Sequence, residues 1–295
     1  MHTADGLVKT MAAGQTVRAL AAVNTQLVDE ARWRHNTAPT ASAALGRTMT
    51  AGLLLGSLLR DDETISLQFV SKGRLRGILV DANAQGEVRG FVYHPRTHLP
   101  ARNGKLDVGG AVGSGTFVVM RSQPWSKTPY RSVLPIVSGE IGQDIAHYLL
   151  HSEQIPSAVS LGVFVQPDES VQAAGGFVIQ AMPGATDELI AQLENQVARI
   201  RPVSDLIRNG ATPHEIIQEV VGEFGPSVVG EQDVQFVCRC SQERVLGALV
   251  LLGLAEIQDI LATKGQADVT CEFCNQEFII DCAGLEQLIV ENSGE

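Results

Sequence analysis

Basic charge is scarce where a small cysteine-rich module would use it to hold nucleic acid. Residues 231–295 carry twelve acidic and three basic side chains, in a 295-residue chain of net charge -11. A module this acidic repels phosphate backbones, so no nucleic-acid partner is expected. Long apolar runs are missing too. The most apolar window, Thr40 to Leu59, is interrupted by Arg47, Thr48 and Thr50, and the clean run after them is too short to span a bilayer. It reads as a buried helix, and no membrane partner is expected. Met1 to Lys9 lacks the basic start and continuous apolar region of a secretory leader, so a cytoplasmic chain is expected.

The usual signatures of catalysis are absent as well. The glycines at 109, 110, 113 and 115 have neither G-x-x-x-x-G-K-[ST] nor a strand-linked G-x-G-x-x-G around them. They read as hairpin turns, which gives ATP dependence no support. There is no G-x-S-x-G elbow and no H-E-x-x-H helix. His147 and His151 are four apart, but Tyr148 stands where a metalloprotease helix needs Glu, and Pro95 breaks any helix that would align His94 with His98. Both pairs read as structural. No catalytic residue and no organic cofactor are expected, and the chain reads as a non-enzyme.

What the sequence does have is a cysteine cluster. Cys238-Arg239-Cys240 and Cys271-Glu272-Phe273-Cys274 put four of the five cysteines within 37 residues. Four thiolates in two tight pairs can close tetrahedrally around one Zn²⁺, leaving no open position for substrate. The competing reading is four unrelated core cysteines, since free Cys is commonly buried; their pairing argues against it. A Cys-x-Cys disulfide closes a small, strained ring, and strained disulfides are the readily reduced, regulatory kind. Oxidation as mere damage stays open at this point. In a reducing compartment these thiols bind metal or sense redox change more readily than they form permanent staples. Arg239, Glu272 and Phe273 lie inside the loops and are expected to cover the site. Cys282, eight residues after Cys274, is expected to be a non-ligand.

At 295 residues with 44% hydrophobic side chains, the chain is long enough for two domains. Val17 to Val28 reads as a strand leading into a helix, with Ala31 to His35 polar and exposed. A second helix over Ala41 to Leu59 has Pro39 in its first turn and Thr37 or Thr40 as candidate cap. Beyond Asp61-Asp62, alternating residues from Ile65 to Val92, with turns at Gly73 and Asp81 to Gly86, give an antiparallel meander. Thr116 to Met120 and Ser132 to Val137 extend it. Glu140 to His151 reads as a helix, and Ala158 to Val165 with Val171 to Gln180 as a hairpin.

The pattern then turns helical. Leu189, Leu193, Val197 and Ile200 form one stripe, and Thr212-Pro213-His214-Glu215 is a capping box ahead of Ile216, Ile217, Val220 and Val221. These helices have no evident core of their own, so either the N-terminal body or the cysteine module must cover them. Beyond the first cysteine pair, Ser241 caps a helix through Val250, Leu254 to Lys264 forms another, and a strand over Glu277 to Asp281 precedes a terminal helix. The expected fold is α+β: an N-terminal domain of antiparallel β-sheet with packed helices (1–183), a helical linker (184–230) and a small C-terminal zinc-binding domain (231–295).

The stretches Val234-Gln235-Phe236-Val237-Cys238-Arg239-Cys240-Ser241 and Val269-Thr270-Cys271-Glu272-Phe273-Cys274 closely resemble the end of the bacterial redox-regulated heat-shock holdases, the 33 kDa chaperonin family. Upstream, Thr40-Ala41-Ser42-Ala43-Ala44-Leu45-Gly46-Arg47, Asp81-Ala82-Asn83-Ala84 with Gly86 to Gly90, Ser138-Gly139-Glu140, Ser152-Glu153-Gln154 and Pro156-Ser157 look like family stretches in family order. The resemblance covers essentially the whole chain.

It implies an ATP-independent chaperone that binds unfolding client proteins under oxidative and heat stress. Cys238, Cys240, Cys271 and Cys274 would hold zinc in the reduced, inactive form. Oxidation would form the disulfides Cys238-Cys240 and Cys271-Cys274, release the metal, unfold the middle linker and favour a homodimer. Cys282 departs from the family pattern. Two other functions remain in view: a thiol-disulfide oxidoreductase using Cys271 and Cys274, against which the missing βαβ context speaks, and a constitutive interaction protein with structural zinc.

Overall fold

Two separate patterns of alternation build the first part of the molecule. The computed structural model describes residues 4–60 and 62–292. Asp61 and the first residues of the stretch read for a leader lie outside them. The chain separates into two units, one ending at Val237 and one beginning at Cys238.

In the first unit β1 (Gly6–Ala12) and β2 (Val17–Val23) lead into α1 (Thr25–His35) and α2 (Pro39–Gly56). The meander follows as β3 (Thr64–Ser71), β4 (Gly77–Asn83) and β5 (Glu87–Val92), then the short α3 (Val108–Val112), β6 (Gly115–Ser122) and β7 (Tyr130–Pro135). After α4 (Ile141–His151) comes the hairpin β8 (Ser157–Val165) and β9 (Val171–Ala181), then α5 (Asp187–Arg199), α6 (Val203–Arg208) and α7 (Pro213–Val221). The unit closes with β10 (Ser227–Asp233) and β11 (Gln235–Phe236).

Two sheets result, in the orders β10-β1-β2-β9-β8 and β11-β5-β4-β3-β6-β7. The pairings are antiparallel except β11 with β5. The α+β class with antiparallel sheets expected from the sequence is therefore the observed one.

Helix α2 is the shared core of both sheets, packing on β2, β8 and β9 of one and β3, β4 and β5 of the other. Every residue from Thr40 to Gly56 except Arg47 is buried. The polar residues that interrupt its apolar run are each answered. Arg47 pairs with Glu140 at 2.7 Å, and the Thr48 and Thr50 hydroxyls donate to the carbonyls of Ala44 and Gly46 one turn back. This is how a helix can bury threonines with their hydroxyls satisfied, although Arg47 Nε is buried without a partner.

The expected threonine cap is not formed. Ala38 is the N-cap and has no side-chain cap bond. The Thr37 hydroxyl is 2.6 Å from that of Ser42, and Thr40 contacts His98 Nδ1 and accepts from Leu99 N. The glycines at 109 to 115 are also not hairpin turns. Gly109 and Gly110 lie in α3, capped by Asp107, and only Gly115 opens a strand.

The five-stranded sheet is covered on both faces, because alternate residues of its strands point opposite ways. Leu7, Leu20, Ala22, Ala174 and Val178 join the α2 core. Val8, Val17, Ala19, Ala21, Val23, Ala173, Phe177 and Ile179 form a second cluster with Leu193, Val203, Ile207, Ile216, Ile217, Val220 and Val221 of α5, α6 and α7. The helices without a core of their own are thus covered by the N-terminal body.

Close approach of α6 depends on a glycine. A Cβ at Gly162 would stand 2.8 Å from Ser204 N and from Val203 Cγ1. The capping box of α7 is present as read, with Glu215 N donating to Thr212 Oγ1 and Thr212 N to Glu215 Oε2. The domain edge expected at residue 231 falls inside β10, which pairs along β1 from Ser227 to Asp233. Residues 184–230 lie within the first unit.

The second unit contains α8 (Gln242–Val250), α9 (Leu254–Lys264), β12 (Ala267–Thr270), β13 (Glu277–Ile280) and α10 (Cys282–Asn292). Ser241 caps α8 by accepting from Arg244 N, as expected. Its core is small: Val245, Leu249, Ile257, Ala267, Ile280, Leu285 and Leu288. Among the described residues no single helix is long and apolar enough to cross a membrane.

Candidate metal centre

Local structure brings the two cysteine pairs together. Cys238 and Cys240 lie in the segment just before the Ser241 cap of α8, and Cys271 and Cys274 form the turn joining β12 to β13. That turn is drawn tight by Cys271 N donating to Gln276 O at 2.9 Å and by Asn275 N donating to Cys271 O at 2.7 Å. Asn275 takes φ 60, a left-handed conformation that Asn tolerates better than most side chains. The folded-back backbone presents both sulfurs to one side.

All four Sγ atoms lie within 4.8 Å of one another. Two of the approaches cross between the pairs, Cys238 to Cys271 at 3.7 Å and Cys240 to Cys274 at 3.4 Å. A tetrahedron of sulfurs at about 2.3 Å from zinc has edges of about 3.8 Å, so the thiol set fits that ion in number, type and spacing. Cys274 is buried and the other three are half-buried, which removes the site from bulk water while leaving it reachable.

The electrostatics favour a cation. Burial works against the Cys238 thiolate, but the Cys240 backbone and the neighbouring thiols hold its pKa below the ordinary value. Burial pushes Cys240 and Cys274 above theirs; Cys238 and Cys271 add to it at both, while the hydrogen bond with Cys274 works the other way at Cys240. Without a positive charge the cluster therefore resists carrying several thiolates at once; a divalent cation removes that penalty.

Each residue read from the sequence is accounted for. Cys238, Cys240, Cys271 and Cys274 are assembled into one site. Cys282 stands apart at the start of α10, exposed, 3.6 Å from Glu286 Oε1, with its pKa raised by desolvation and by that carboxylate. Glu272 and Arg239 are exposed and Phe273 is half-buried. His147 and His151 lie 4.2 Å apart between ring centroids on α4, tilted by 45°, and His94 meets the Arg74 carbonyl; among the described residues none of them joins a metal-like cluster. Gln276 was not singled out by sequence. Its backbone carbonyl closes the turn and its Oε1 lies 3.7 Å from Cys240 Sγ; only its place two residues after Cys274 hinted at this.

Comparison with known proteins gives a consistent picture. The family model described as Hsp33 protein matches residues 5–281. The 33 kDa chaperonin of Bacillus subtilis is 46% identical over 286 residues, covering 96% of this chain and 98% of that one. The 33 kDa chaperonin of Geobacillus kaustophilus is 45% identical over 285 residues, covering 96% and 97%. The crystal structure of the 33 kDa chaperonin (heat shock protein 33 homolog) from Thermotoga maritima superposes with TM-score 0.93 at 31% identity, covering 99% of this chain and 100% of that one.

Proposed function

Because the chain belongs to the Hsp33 family of chaperones, we propose that it is a redox-regulated, ATP-independent holdase whose switch is Cys238, Cys240, Cys271 and Cys274. The observation that carries this reading is the convergence of four thiols from two distant segments within 4.8 Å. In the reduced form the four sulfurs would hold zinc. The ion supplies charge compensation for the thiolates and ties the segment before α8 to the β12–β13 turn. A unit with so small a core is marginal alone, whereas structural zinc contributes about 10–16 kcal/mol in zinc-finger peptides.

Peroxide would act on the cysteines themselves. Each thiolate pair, Cys238 with Cys240 and Cys271 with Cys274, would give two electrons to one peroxide, whose O–O bond breaks as it takes two protons from solvent, leaving one S–S bond and two waters. The donor set is then gone, and the unit loses its tie. Both disulfides join neighbours in sequence, so neither restores the link between the two segments.

Release would pass to the client-binding surface through the end of the first unit. Among the described residues strand β10 is an edge strand paired with β1 alone, and β11 is two residues long. They are the connection between the cysteine unit and α5, α6 and α7. Stripping that connection loosens the helices, which uncovers Phe177, Ile179 and the rest of their sheet face together with the helices' own apolar stripes. Two complementary apolar surfaces, formerly satisfied by each other, become available to unfolded proteins and to a second copy of the chain. The client is any unfolding protein with exposed apolar segments, in a compartment that is normally reducing, the cytoplasm.

The test compares aggregation of a heat-unfolding client with reduced, zinc-loaded protein and with peroxide-treated protein, without ATP. Suppression by the oxidised form alone is expected. Equal suppression by both forms would overturn the switch and leave a constitutive chaperone with structural zinc, and turnover of a dithiol substrate would point to an oxidoreductase.

A further inference from the structure

The turn between β3 and β4 concentrates positive charge in a chain of net charge -11: Lys72, Arg74 and Arg76 fall within five residues. All three are exposed. Among the described residues none of them makes an ion pair, whereas Arg96, two residues past His94, is matched by Glu169 at 3.2 Å. With Gly73, His94 and Thr97 they line a depression of about 460 Å³ that has no carboxylate in its wall.

The turn is built to hold these charges in place. Lys72 N, Gly73 N and Leu75 N donate to the carbonyls of Ser114, Val112 and Ala111 at 2.8, 3.1 and 3.1 Å, and the Leu75 side chain is fully buried. Gly73 has no room for a side chain, since a Cβ would lie 2.2 Å from Val112 O. Arg76 is held at φ 63, in the left-handed region that few non-glycine residues occupy. On the other wall His94 Nδ1 and Thr97 Oγ1 both donate to the Arg74 carbonyl, at 3.0 and 3.2 Å. The one acceptor of that peptide is thus engaged, and cationic donors are left to face the depression.

Three like charges on one pinned turn repel one another until a polyvalent anion neutralises them. Arginine forks fit phosphate oxygens bidentately and lysine supplies a point charge, while the open volume accommodates more than one phosphate group. We propose that this depression is a binding site for a phosphate-chain anion, of the pyrophosphate or tripolyphosphate class, separate from the metal centre. A nucleoside triphosphate's tail offers the same chemistry as a free phosphate chain.

The test is calorimetric titration of the full-length, reduced, zinc-loaded protein with sodium tripolyphosphate, and in a second arm with ATP. One site for tripolyphosphate is expected. Removing charge-assisted contacts in Lys72→Gln/Arg74→Gln should weaken it at least about tenfold. Arg76→Asn, which keeps a residue tolerant of the left-handed conformation, should weaken it with an unchanged melting temperature. Equal binding of ATP would support a site that reads the phosphate chain whatever it carries, and tripolyphosphate binding alone would support the free chain. Absent binding, binding of ATP alone, or heats equal in wild type and variants would overturn the site. The last outcome includes chelation of zinc by tripolyphosphate, which these substitutions leave untouched.

Discussion

The two units of this chain hold themselves together by different means. The unit ending at Val237 has a buried helix, α2, shared by two sheets, and a second apolar cluster under α5, α6 and α7. The unit beginning at Cys238 has one small cluster and four thiols drawn to a point. Apolar burial responds to temperature and denaturant, whereas a thiol site responds to oxidant and metal. Stability in one half is therefore continuous with ordinary folding, and on the proposed function it would be conditional on chemistry in the other. Within the first unit a similar contrast recurs on a smaller scale. The sheet face on α2 is sealed by a long helix, and the opposite face by three shorter helices.

The largest expected effect breaks the comparison outright. Removing zinc with a chelator under reducing conditions, or introducing Cys274→Ser, withdraws a contribution of about 10–16 kcal/mol on the zinc-finger scale. Amide hydrogen exchange should become fast over 238–292 while α2 and the strands packed on it keep their protection. Retained protection in both units would remove metal as the basis of the difference.

A smaller change sharpens the contrast between the two faces of the five-stranded sheet. Gly162→Ala puts a methyl group 2.8 Å from the α6 backbone, and overpacking of this kind costs about 1–3 kcal/mol. The expected result is increased binding of a hydrophobic dye by the reduced, zinc-loaded protein with little change in protection of α2. Smaller still, Thr212→Ala removes the hydroxyl of the α7 capping box, at a cost of about 0.5–2 kcal/mol. It should lower the oxidant or temperature threshold at which client aggregation is suppressed, measured by titration against wild type. An unchanged threshold would separate α7 stability from activation.

Much of this was legible in the residues, for identifiable reasons. The meander, the 158–180 hairpin, the Ser241 cap and the Thr212 capping box are local patterns whose period or spacing reports backbone conformation directly. The four site cysteines were legible because so few cysteines exist and they are paired. The readings that failed depended on distant partners. Thr37 and Thr40 suit a helix cap, yet their hydroxyls are drawn to Ser42 and to His98 and Leu99. The 109–115 glycines resemble turn formers, yet Asp107 and packing against α2 let two of them sit in a short helix. Nothing in residues 227–236 announces two strands, because β10 and β11 are short edge strands whose partners, β1 and β5, lie far away in sequence.

By itself, the sequence determined the meander, the 158–180 hairpin and the capped helices, the acidic cysteine module and the identity of its four thiols, since each follows from composition, spacing or period. Tertiary structure alone decided that α5, α6 and α7 cover a sheet face, that the first unit runs to Val237, and that thiols thirty residues apart meet within 4.8 Å. It also gathered Lys72, Arg74 and Arg76 around one depression with His94 and Thr97. The physical reason is common to all of these: periodicity fixes which face of a segment is apolar, but only chain topology fixes what that face meets.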